Sequence, residues 1–383
     1  MLDFTEDQLQ VRDLVRRVAR EKVAQRAQEI DIKGEYPNDM FNLLKELGMF
    51  TLPYPEQYGG MNSMVASCIA IEEFARVCYN TAYLLVVQWD QFAVLLGGGT
   101  EEQQKKYLPG LAAGEIRGAF SLTEPQSGSD VAGIKTRAVR EGDGYRLTGS
   151  KIWCTNAAVA DFLLIAARVG GSGERGVLNL FIVEPGMEGF DIGPAESKMG
   201  GRGVPSSPLY LDNVYVPEAN RIGDEGTGFA IAMEELNRAR PVAAARALGL
   251  AQGAMDHAID FIKNRHAFGQ AVSDFQGIRW MIADMETQIA ASRNLVYQAA
   301  NAVDQGVTGY ELRHLASIAK LHATDTAMKV ATDAVQLFGA SGISNEYPIN
   351  RYFRDAKVLQ IVEGTSQIQR NIISRNILGK VGG

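Results

Sequence analysis

Glu363 is the residue of this sequence that most clearly could do chemistry, because it is a carboxylate within the largely apolar residues 358–369. Ile361 and Val362 precede it and offer no polar partner. A carboxylate that loses hydration has a raised pKa and becomes a better proton acceptor near neutral pH. Gly364 follows, and its lack of a side chain lets a ligand approach the backbone. The pattern is typical of a general base, or of a Glu at a helix end whose carboxylate lies in water.

A second motif, at residues 171–176, matches the dinucleotide-binding pattern G-x-G-x-x-G. A dinucleotide site requires a helix directly after the motif, so that the helix N-terminus meets the pyrophosphate. The residues that follow, Val177–Val183, have the composition of a strand instead. We therefore predict a hairpin turn here and no nicotinamide site.

Two further segments, Phe120–Asp130 and Ile152–Asn156, could bind a ligand that contains phosphate or a flat ring. In the first, a strand leads into Pro125 and then into a loop of Ser and Gly residues. The backbone N–H groups and hydroxyls of such a loop can face phosphate or ring oxygens. The second segment places the ring of Trp153 near the hydroxyl of Thr155. Taken alone, either segment is equally compatible with an ordinary turn and a core tryptophan.

The composition excludes several classes of protein. The 383 residues are 46% hydrophobic, which is enough for a large core and more than one domain. The formal net charge is −7 and the chain has no basic run, so nucleic acid and anionic membrane surfaces are not expected partners. No apolar stretch reaches the ~20 residues that a bilayer span requires.

The cysteines and histidines favour a reducing compartment and no metal site. Cys68, Cys78 and Cys154 are odd in number and lack metal-ligand spacing, so we expect free thiols. The four histidines form no ligand pair with a carboxylate. Residues 1–30 have the pattern of a charged amphipathic helix rather than of a signal peptide. The expectation is a cytoplasmic protein without a metal.

Periodicity divides the chain into three regions, residues 1–115, 116–224 and 225–383. The first is helical, and Thr5 with Gln8 predicts a capping box at its start. The second contains short strand-like runs without intervening helices, which predicts an antiparallel barrel or sandwich. These runs are Arg137–Arg140, Tyr145–Thr148, Phe162–Ala167, Val177–Val183 and Leu209–Val216.

The third region contains four long helical segments joined by short loops, which predicts an antiparallel four-helix bundle. Thr308 and Glu311 predict a capping box at the start of one of these helices, and Gly339 predicts its end. The predicted fold class is therefore α+β and multidomain, with an N-terminal all-α domain, a middle β domain and a C-terminal bundle.

Five motifs occur in an order that resembles one family. They are Leu122-Thr-Glu-Pro-x-x-Gly-Ser-Asp130, Trp153-x-Thr155-Asn156, Arg265-x-x-Phe268-Gly269, Phe275-Gln276 and Glu363-Gly-Thr-Ser-Gln-Ile-Gln-Arg370. Together they resemble the acyl-CoA dehydrogenase family over essentially the whole chain, most closely its short- and medium-chain branch. The family fold of helical domain, β domain and helical bundle agrees with the three regions.

The resemblance implies an FAD bound between the β domain and the bundle, with a neighbouring subunit completing the site. By motif position, Leu122 and Thr123 would contact the pyrimidine side of the flavin, Trp153 would stack near the ring and Thr155 would donate a hydrogen bond at N5. Ser129 would contact the pyrophosphate and the coenzyme A. The residues expected to contact the FAD of the partner subunit are Arg265, Phe268, Gln276, Gln336 and Gly339, and Thr365 and Gln367 are expected to hold the adenosine part. A shared site implies a homo-oligomer, and the family commonly forms a tetramer.

The resemblance also implies the reaction. Glu363 would remove the α-proton of an acyl-CoA thioester while a hydride passes from the β-carbon to flavin N5, which gives a trans-2-enoyl-CoA. In the family, the backbone N–H of the catalytic Glu and a flavin ribityl hydroxyl stabilise the charge that develops on the thioester oxygen. Positions that match substrate-contacting residues are Ser129, Asn237, Arg240 and Gly364.

Two of these assignments depend on comparison within the family. Asn237 and Arg240 are also compatible with a buried polar pair on one helix. Some members place the base immediately before the Arg that matches Arg240, where this chain has Ala239. That substitution leaves Glu363 as the base that the motifs provide.

The sequence departs from the family pattern at two places near the expected acyl group. Close relatives usually carry a Tyr where this chain has Val362, and Trp89-Asp90 is unusual in the helix that forms the floor of the acyl pocket. We hypothesise a pocket that is wide near the thioester and shortened or polar farther in, which would favour branched or cyclic acyl groups. Ala267 and Ala340 also replace a frequent Thr and a frequent Gly.

Other functions on the same fold remain open. An acyl-CoA oxidase would retain Glu363, whereas a flavin monooxygenase typically lacks this base. A thioester-binding lyase such as a desulfinase would not need it, and neither would a catalytically silent flavoprotein. If the chain is a dehydrogenase, the resemblance implies an electron-transferring flavoprotein as the acceptor.

Overall fold

The computed structural model describes residues 4–170 and 176–379, and its N-terminal part is built from helices. These are α1 (Glu6–Val18), a π-helical segment (Ala19–Val23), α2 (Ala24–Lys33), α3 (Asn38–Glu46), α4 (Met64–Ala75), α5 (Tyr79–Gly98) and α6 (Glu101–Ala112). The predicted capping box is confirmed, since Gln8 N–H donates to Thr5 Oγ1 and Thr5 N–H donates to Gln8 Oε1. Every residue of α4 is buried, and so is most of α5, so these two helices lie in the interior.

The described residues of the middle region form a sheet of eight strands. They are β1 (Gly118–Ser121), β2 (Arg137–Glu141), β3 (Gly144–Thr155), β4 (Phe162–Val169), β5 (Val177–Val183), β6 (Phe190–Ile192), β7 (Ser206–Pro217) and β8 (Arg221–Ile222). Their order is β6-β7-β3-β2-β4-β5-β8, and β1 also pairs with β4. The five predicted strand-like runs are confirmed, although β3 and β7 are longer than predicted.

The prediction that the strands are all antiparallel is wrong at one position. β4 runs parallel to both β1 and β2, whereas the other pairs are antiparallel. The β2–β3 hairpin intervenes between β1 and β4, and the chain then returns in the direction of β1. The residues of β4 are nearly all buried because Leu164 and Ala166 face one apolar core while Leu163 and Ile165 face another.

The G-x-G-x-x-G motif does not precede a helix. β4 and β5 form an antiparallel pair that begins at Val169 and Val177, so the strand predicted after the motif is confirmed. The predicted turn itself, at residues 171–175, lies outside the described residues.

In the C-terminal region, the residues up to 379 that the structure describes form three long helices and two shorter ones. These are α7 (Gly228–Asn264), α8 (Gln276–Asp304), α9 (Gly309–Phe338), α10 (Ile349–Leu359) and α11 (Ser366–Leu378), with a small hairpin of β9 (His266–Ala267) and β10 (Gln270–Ala271) after α7. The expected fourth long helix is therefore divided in two. Gly339 ends α9 as predicted, but Thr308 makes no side-chain capping bond at its start.

The break between α10 and α11 has a local cause. Glu363 and Gly364 both have positive φ angles, of 56° and 92°, which a continuing α-helix cannot accommodate. Thr365 then caps α11 by accepting a hydrogen bond from the N–H of Ile368. The turn presents Glu363 toward α7 and α9 rather than on a helix face.

The order of helical, β and helical regions is as predicted. The exact bounds of the three domains stay a prediction. Among the described residues, no helix combines the length and the apolar character needed to cross a bilayer.

Candidate active site

Glu363 lies in the turn between α10 and α11, with 12% of its side chain exposed. Its Oε1 accepts a hydrogen bond of 2.7 Å from Nη2 of Arg246, which is on α7. Its Oε2 is buried and has no hydrogen-bond partner among the described residues. Its polar partner therefore does not come from the neighbouring residues Ile361 and Val362, but from a buried guanidinium on another helix.

Arg246 was not identified from the sequence, although the sequence contains a signal for it. It is a lone charged residue in the apolar, Ala-rich stretch of residues 241–251, and it is fully buried. Buried charges are normally paired, so such an arginine on an apolar helix indicates an acidic partner elsewhere in the chain. The sequence could not show that this partner is Glu363.

The backbone of the turn is held by two donors. Nζ of Lys320, on α9, donates to the carbonyl oxygen of Gly364 at 2.7 Å, and Nε2 of Gln369 donates to the same oxygen at 2.9 Å. Burial lowers the pKa of Lys320 to about 8, although the nearby Glu363 carboxylate partly opposes this effect. Lys320 and Gln369 were also missed at the sequence level.

Three consecutive backbone N–H groups of this turn have no hydrogen-bond partner among the described residues, namely those of Glu363, Gly364 and Thr365. Successive free N–H groups in a turn with positive φ angles are a typical site for an anionic or partly anionic oxygen. The turn therefore places a carboxylate and free amide donors next to each other.

Two more carboxyl groups line a cavity of about 30 Å³ between α5 and α7, together with Trp89 and Ala239. They belong to Asp90 and Glu235, and neither carboxyl makes a hydrogen bond or an ion pair with the described residues. Burial raises the pKa of Asp90 well above its ordinary value, and the negative charge of Glu363 adds to this effect. Burial, and then the charge of Asp90, raises the pKa of Glu235 in the same way.

These two groups bear on the choice of base. The sequence indicated Glu363 alone, whereas the structure brings Asp90 and Glu235 to the cavity that Ala239 also lines. Glu363 lies next to the cation of Arg246 and next to the free N–H groups of its own turn, whereas Asp90 and Glu235 line a cavity whose lining does not include Glu363. The geometry therefore favours Glu363 as the base.

The loop that contains Leu122, Thr123 and Ser129 is fixed by a buried ion pair. Nζ of Lys151, on β3, lies 2.8 Å from Oε1 of Glu124 and also donates to the carbonyl of Leu122 at 3.1 Å. Glu124 further accepts the N–H groups of Lys135 and Thr136. Burial opposes the charge on Glu124, but Lys151 and these donors outweigh it and lower the pKa of Glu124 to about 2. Ser129 is exposed on this loop.

Trp153 and Thr155 lie near the end of β3. Trp153 has a positive φ of 59° and an indole that is 52% exposed, so its ring is available to a ligand. The hydroxyl of Thr155 lies 3.1 Å from that of Ser206 and 3.4 Å from that of Tyr83. The interpretation of Trp153 as a core residue is therefore wrong.

The residues predicted to contact a partner's cofactor fall into two groups. Arg265, Gln336 and Gly339 line one cavity of about 330 Å³. Phe268 and Gln276 lie outside its lining, and Phe268 is 96% exposed with a positive φ of 52°. The other two predicted residues lie at the start of α11, where Gln367 is exposed and Thr365 is the N-cap.

Asn237 and Arg240 contact each other on α7. Nη1 of Arg240 donates to Oδ1 of Asn237 at 2.6 Å, and both residues are buried. Burial, and then the charge of Arg313, lowers the pKa of Arg240 to about 10. Nε of Arg240 has no partner within the part of the chain that the structure describes. The pair matches the buried polar alternative, and it retains one donor that a ligand could use.

Three family models match consecutive parts of the chain. They are the acyl-CoA dehydrogenase N-terminal domain over residues 5–115, the middle domain over residues 119–214 and the C-terminal domain over residues 226–378. The matches follow the helical, β and helical regions in order.

Individual proteins are similar over the whole chain. Cyclohexane-1-carbonyl-CoA dehydrogenase of Geobacter metallireducens is 40% identical over 380 residues, which cover 99% of each chain. The structure of butyryl-CoA dehydrogenase from Megasphaera elsdenii superposes with a TM-score of 0.94 at 38% identity, covering 99% of this chain and 100% of that one. A glutaryl-CoA dehydrogenase from Mycobacterium smegmatis in complex with FADH2 superposes with a TM-score of 0.92 at 26% identity, covering 99% and 96%. The chain therefore belongs to the acyl-CoA dehydrogenase family.

Proposed function

We propose that this protein is an FAD-dependent dehydrogenase that converts a short, branched or cyclic acyl-CoA into the corresponding 2-enoyl-CoA, with Glu363 as the base. The observation that carries the proposal is the turn between α10 and α11. It places the Glu363 carboxylate next to a buried cation and next to free backbone N–H groups. A proton acceptor and donors for an oxygen are the two functions that enolisation of a thioester requires.

The described residues fit an FAD. Trp153 is exposed two residues before Thr155 on β3, and the ion pair of Glu124 and Lys151 holds the loop with Leu122 and Thr123 in place. A second cavity brings together Arg265, Gln336 and Gly339, three residues with which a partner's FAD would be held. When bound, FAD supplies the oxidant that accepts a hydride from the β-carbon at N5. The match to a structure that contains FADH2 supports this choice of flavin.

The protein's own residues have to solve the problem of acidity. An α-proton of a thioester is too weakly acidic for an unassisted carboxylate, so charge on the thioester oxygen must be stabilised as the proton leaves. The N–H of Glu363 is free to donate to that oxygen, while the carboxylate of the same residue takes the proton. Arg240 and Asn237, with Ser129 and Gly364, would position the coenzyme A part.

The acyl site that we propose ends at the cavity of about 30 Å³ between α5 and α7, which has no room for a long straight chain. Asp90 and Glu235 line it between α5 and α7, so its inner wall is polar, and Trp89 is buried against it. Val362 is only partly buried beside Glu363, and it is smaller than the Tyr that close relatives usually carry there. The similarity to a cyclohexane-1-carbonyl-CoA dehydrogenase supports a cyclic acyl group, and that to a butyryl-CoA dehydrogenase supports a short one.

An anaerobic titration of the purified protein tests the proposal. Butyryl-, isobutyryl-, octanoyl- and cyclohexanecarboxyl-CoA are added in turn, and loss of the oxidised flavin absorbance is followed. We expect the isobutyryl or cyclohexanecarboxyl thioester to reduce the flavin fastest. If none of the four reduces it, the protein is not a dehydrogenase, and if octanoyl-CoA is by far the best, the proposed pocket shape is wrong.

The proposal extends to the assembly and the electron acceptor, and the same preparation distinguishes a dehydrogenase from an oxidase. We propose a homo-oligomer, expected to be a tetramer, that passes electrons to an electron-transferring flavoprotein in the cytoplasm. The three cysteines are free and buried, which agrees with a reducing compartment. Stopped-flow reoxidation of the reduced protein in air distinguishes the rival, because rapid release of peroxide would indicate an oxidase.

A further inference from the structure

The guanidinium of Arg246 is not exposed to solvent, and its contacts indicate a single role for this residue. Within the described residues, the single side-chain hydrogen bond it makes is the 2.7 Å contact from Nη2 to Oε1 of Glu363. Its Nε and Nη1 are buried and have no hydrogen-bond partner in the described part of the chain. An arginine keeps its charge in such a place, and burying that charge is unfavourable unless a partner compensates it. Glu363 is that partner.

Two aromatic rings of α5 hold the guanidinium in place. Its Cζ lies 4.1 Å from the ring centroid of Tyr83 and 5.1 Å from that of Tyr79. Both distances are within the range of cation–π attraction, which strengthens when the cation is desolvated. The rings restrict where the guanidinium can lie, so Nη2 is a fixed point for the carboxylate of Glu363.

Tyr83 also contacts Thr155, the residue that we expect to donate a hydrogen bond to the flavin. The hydroxyl of Tyr83 lies 3.4 Å from Oγ1 of Thr155. A chain of contacts therefore joins Glu363, through Arg246 and Tyr83, to Thr155 on the β domain. The two sides of the reaction, proton removal and hydride transfer, are thus connected by named side chains rather than only by the backbone.

We propose that Arg246 is the positioning residue for Glu363: it holds Oε1, so that the unpartnered Oε2 takes the α-proton, and Tyr83 fixes this arrangement relative to Thr155. In that step the bond from the α-carbon to hydrogen would break and an O–H bond would form at Oε2, while the released electron pair forms the new double bond and the β-hydride goes to the oxidised FAD of the proposed function. This inference rests on the proposed function.

The turn explains why such a device is needed. Glu363 has a positive φ and a side chain with several rotatable bonds, and among the described residues its carboxylate has no other hydrogen-bond donor than Arg246. Without Arg246 the carboxylate would sample other rotamers. A displacement of about 1 Å at a reacting group reduces the rate by about 10²-fold.

The test uses R246M, R246K and R293M in the FAD-loaded protein, with cyclohexanecarboxyl-CoA carrying hydrogen or deuterium at the carbon next to the thioester. For R246M we expect kcat to fall about 10²-fold, KM to stay nearly unchanged and the deuterium isotope effect on kcat to rise, because proton removal becomes rate-limiting. R246K retains a cation and should recover part of the rate. Arg293 is the matched control, since it forms an ion pair with Glu72 away from Glu363, and R293M should keep the wild-type kcat and isotope effect.

The outcomes separate positioning from a structural role. A partly misfolded R246M would lose rate without a change in the isotope effect, and that result, or an unchanged kcat, overturns the inference. If R246M does not fold, R246Q replaces it with the same expectations. If no thioester reduces the flavin of the wild-type protein, the proposed function fails. The crystal structure of R246Q then tests the positioning role separately. A Glu363 carboxylate that stays in place overturns that role, and one that moves supports it.

Discussion

The ammonium of Lys320 lies 2.7 Å from the carbonyl oxygen of Gly364, and the lysine is fully buried on α9. Gly364 follows Glu363, so this contact links the turn that carries the carboxylate to α9. The pKa of Lys320 is lowered to about 8, chiefly because burial makes the charged form of the amine less stable than in water. A buried amine with this unfavourable charge, placed next to a candidate base, indicates a role in holding the turn.

The first prediction is therefore that K320M slows the reaction without unfolding the protein. Loss of one of two donors to the Gly364 carbonyl should reduce kcat by about 5-fold, since one hydrogen bond contributes ~1 kcal/mol. Stability should change little, because Met removes a buried charge that is unfavourable by itself. The measurements are kcat and the melting temperature. Lys329 on the same helix pairs with Asp333 at the surface, so K329M should behave as wild type, and an equal loss in both variants would contradict the prediction.

The second prediction concerns the identity of the base. E363Q should lower kcat by about 10²–10⁴-fold, the usual contribution of a general base, and retain FAD, because the amide keeps the shape of the side chain. D90N and E235Q are the matched controls, since both carboxyls are near the site but line a cavity whose lining does not include Glu363. Turnover and the flavin absorbance of each purified variant are measured. Loss of turnover in D90N with activity retained in E363Q would transfer the role to Asp90.

The comparison of sequence with structure shows where local patterns are sufficient. The strand-like runs of the β domain and the capping box at Thr5 depend on neighbouring residues, and they are confirmed. Thr308 begins its helix as predicted but makes no capping bond. Glu363 could be singled out because a carboxylate in an apolar run is unusual.

The partners of Glu363 could not be found in this way. Arg246 is 117 residues away from Glu363, and Lys320 is 44 residues away from Gly364. Which buried cation meets which carboxylate is decided by how α7 and α9 pack against the last turn, and no local pattern encodes that packing. The parallel placement of β4 has the same origin, since strand direction depends on the connections and not on the residues of the strand.

The third prediction uses the ion pair of Glu124 and Lys151. E124Q should destabilise the fold by about 3–5 kcal/mol at neutral pH, because it leaves a buried ammonium without its counter-charge. The pKa of Glu124 is lowered to about 2 in the fold, so its contribution is present above its ordinary pKa near 4.5 and is lost as the pH falls toward 2. The difference in stability between wild type and E124Q should therefore shrink across that range.

Thermal unfolding at a series of pH values measures this difference. E101Q is the control, since Glu101 is exposed and pairs with Lys105 along one helix. Such surface pairs contribute about 0.3–0.5 kcal/mol, so E101Q should follow the wild-type profile. A gap between wild type and E124Q that stays constant down to pH ~2 would show that Glu124 is not ionised in the fold as proposed.

The fourth prediction concerns the inner wall of the acyl cavity. D90L replaces a partly buried carboxyl by an alkyl group of similar size, so the wall becomes compatible with an apolar chain end. The ratio of kcat/KM for octanoyl-CoA to that for cyclohexanecarboxyl-CoA should rise by about 10-fold or more, within the range that a pocket gains per methylene. D90N keeps the polarity and the shape and should leave the ratio near that of wild type. Equal ratios in D90L and wild type would mean that the acyl group does not reach Asp90.

The fifth prediction places the restriction near the thioester. Val362 precedes Glu363 and is partly buried, whereas Ile361 is 53% exposed. V362Y should occupy the room beside the carboxylate and lower kcat/KM for cyclohexanecarboxyl- and isobutyryl-CoA by about 10-fold or more, because overpacking at a fitted site typically costs 1–3 kcal/mol. Butyryl-CoA, which has no branch at the α-carbon, should be much less affected. I361Y adds the same ring one position earlier at the surface and should change none of the three values. If V362Y lowers all three equally, the ring displaces Glu363 itself, and the space beside Val362 is not what admits a branched acyl group.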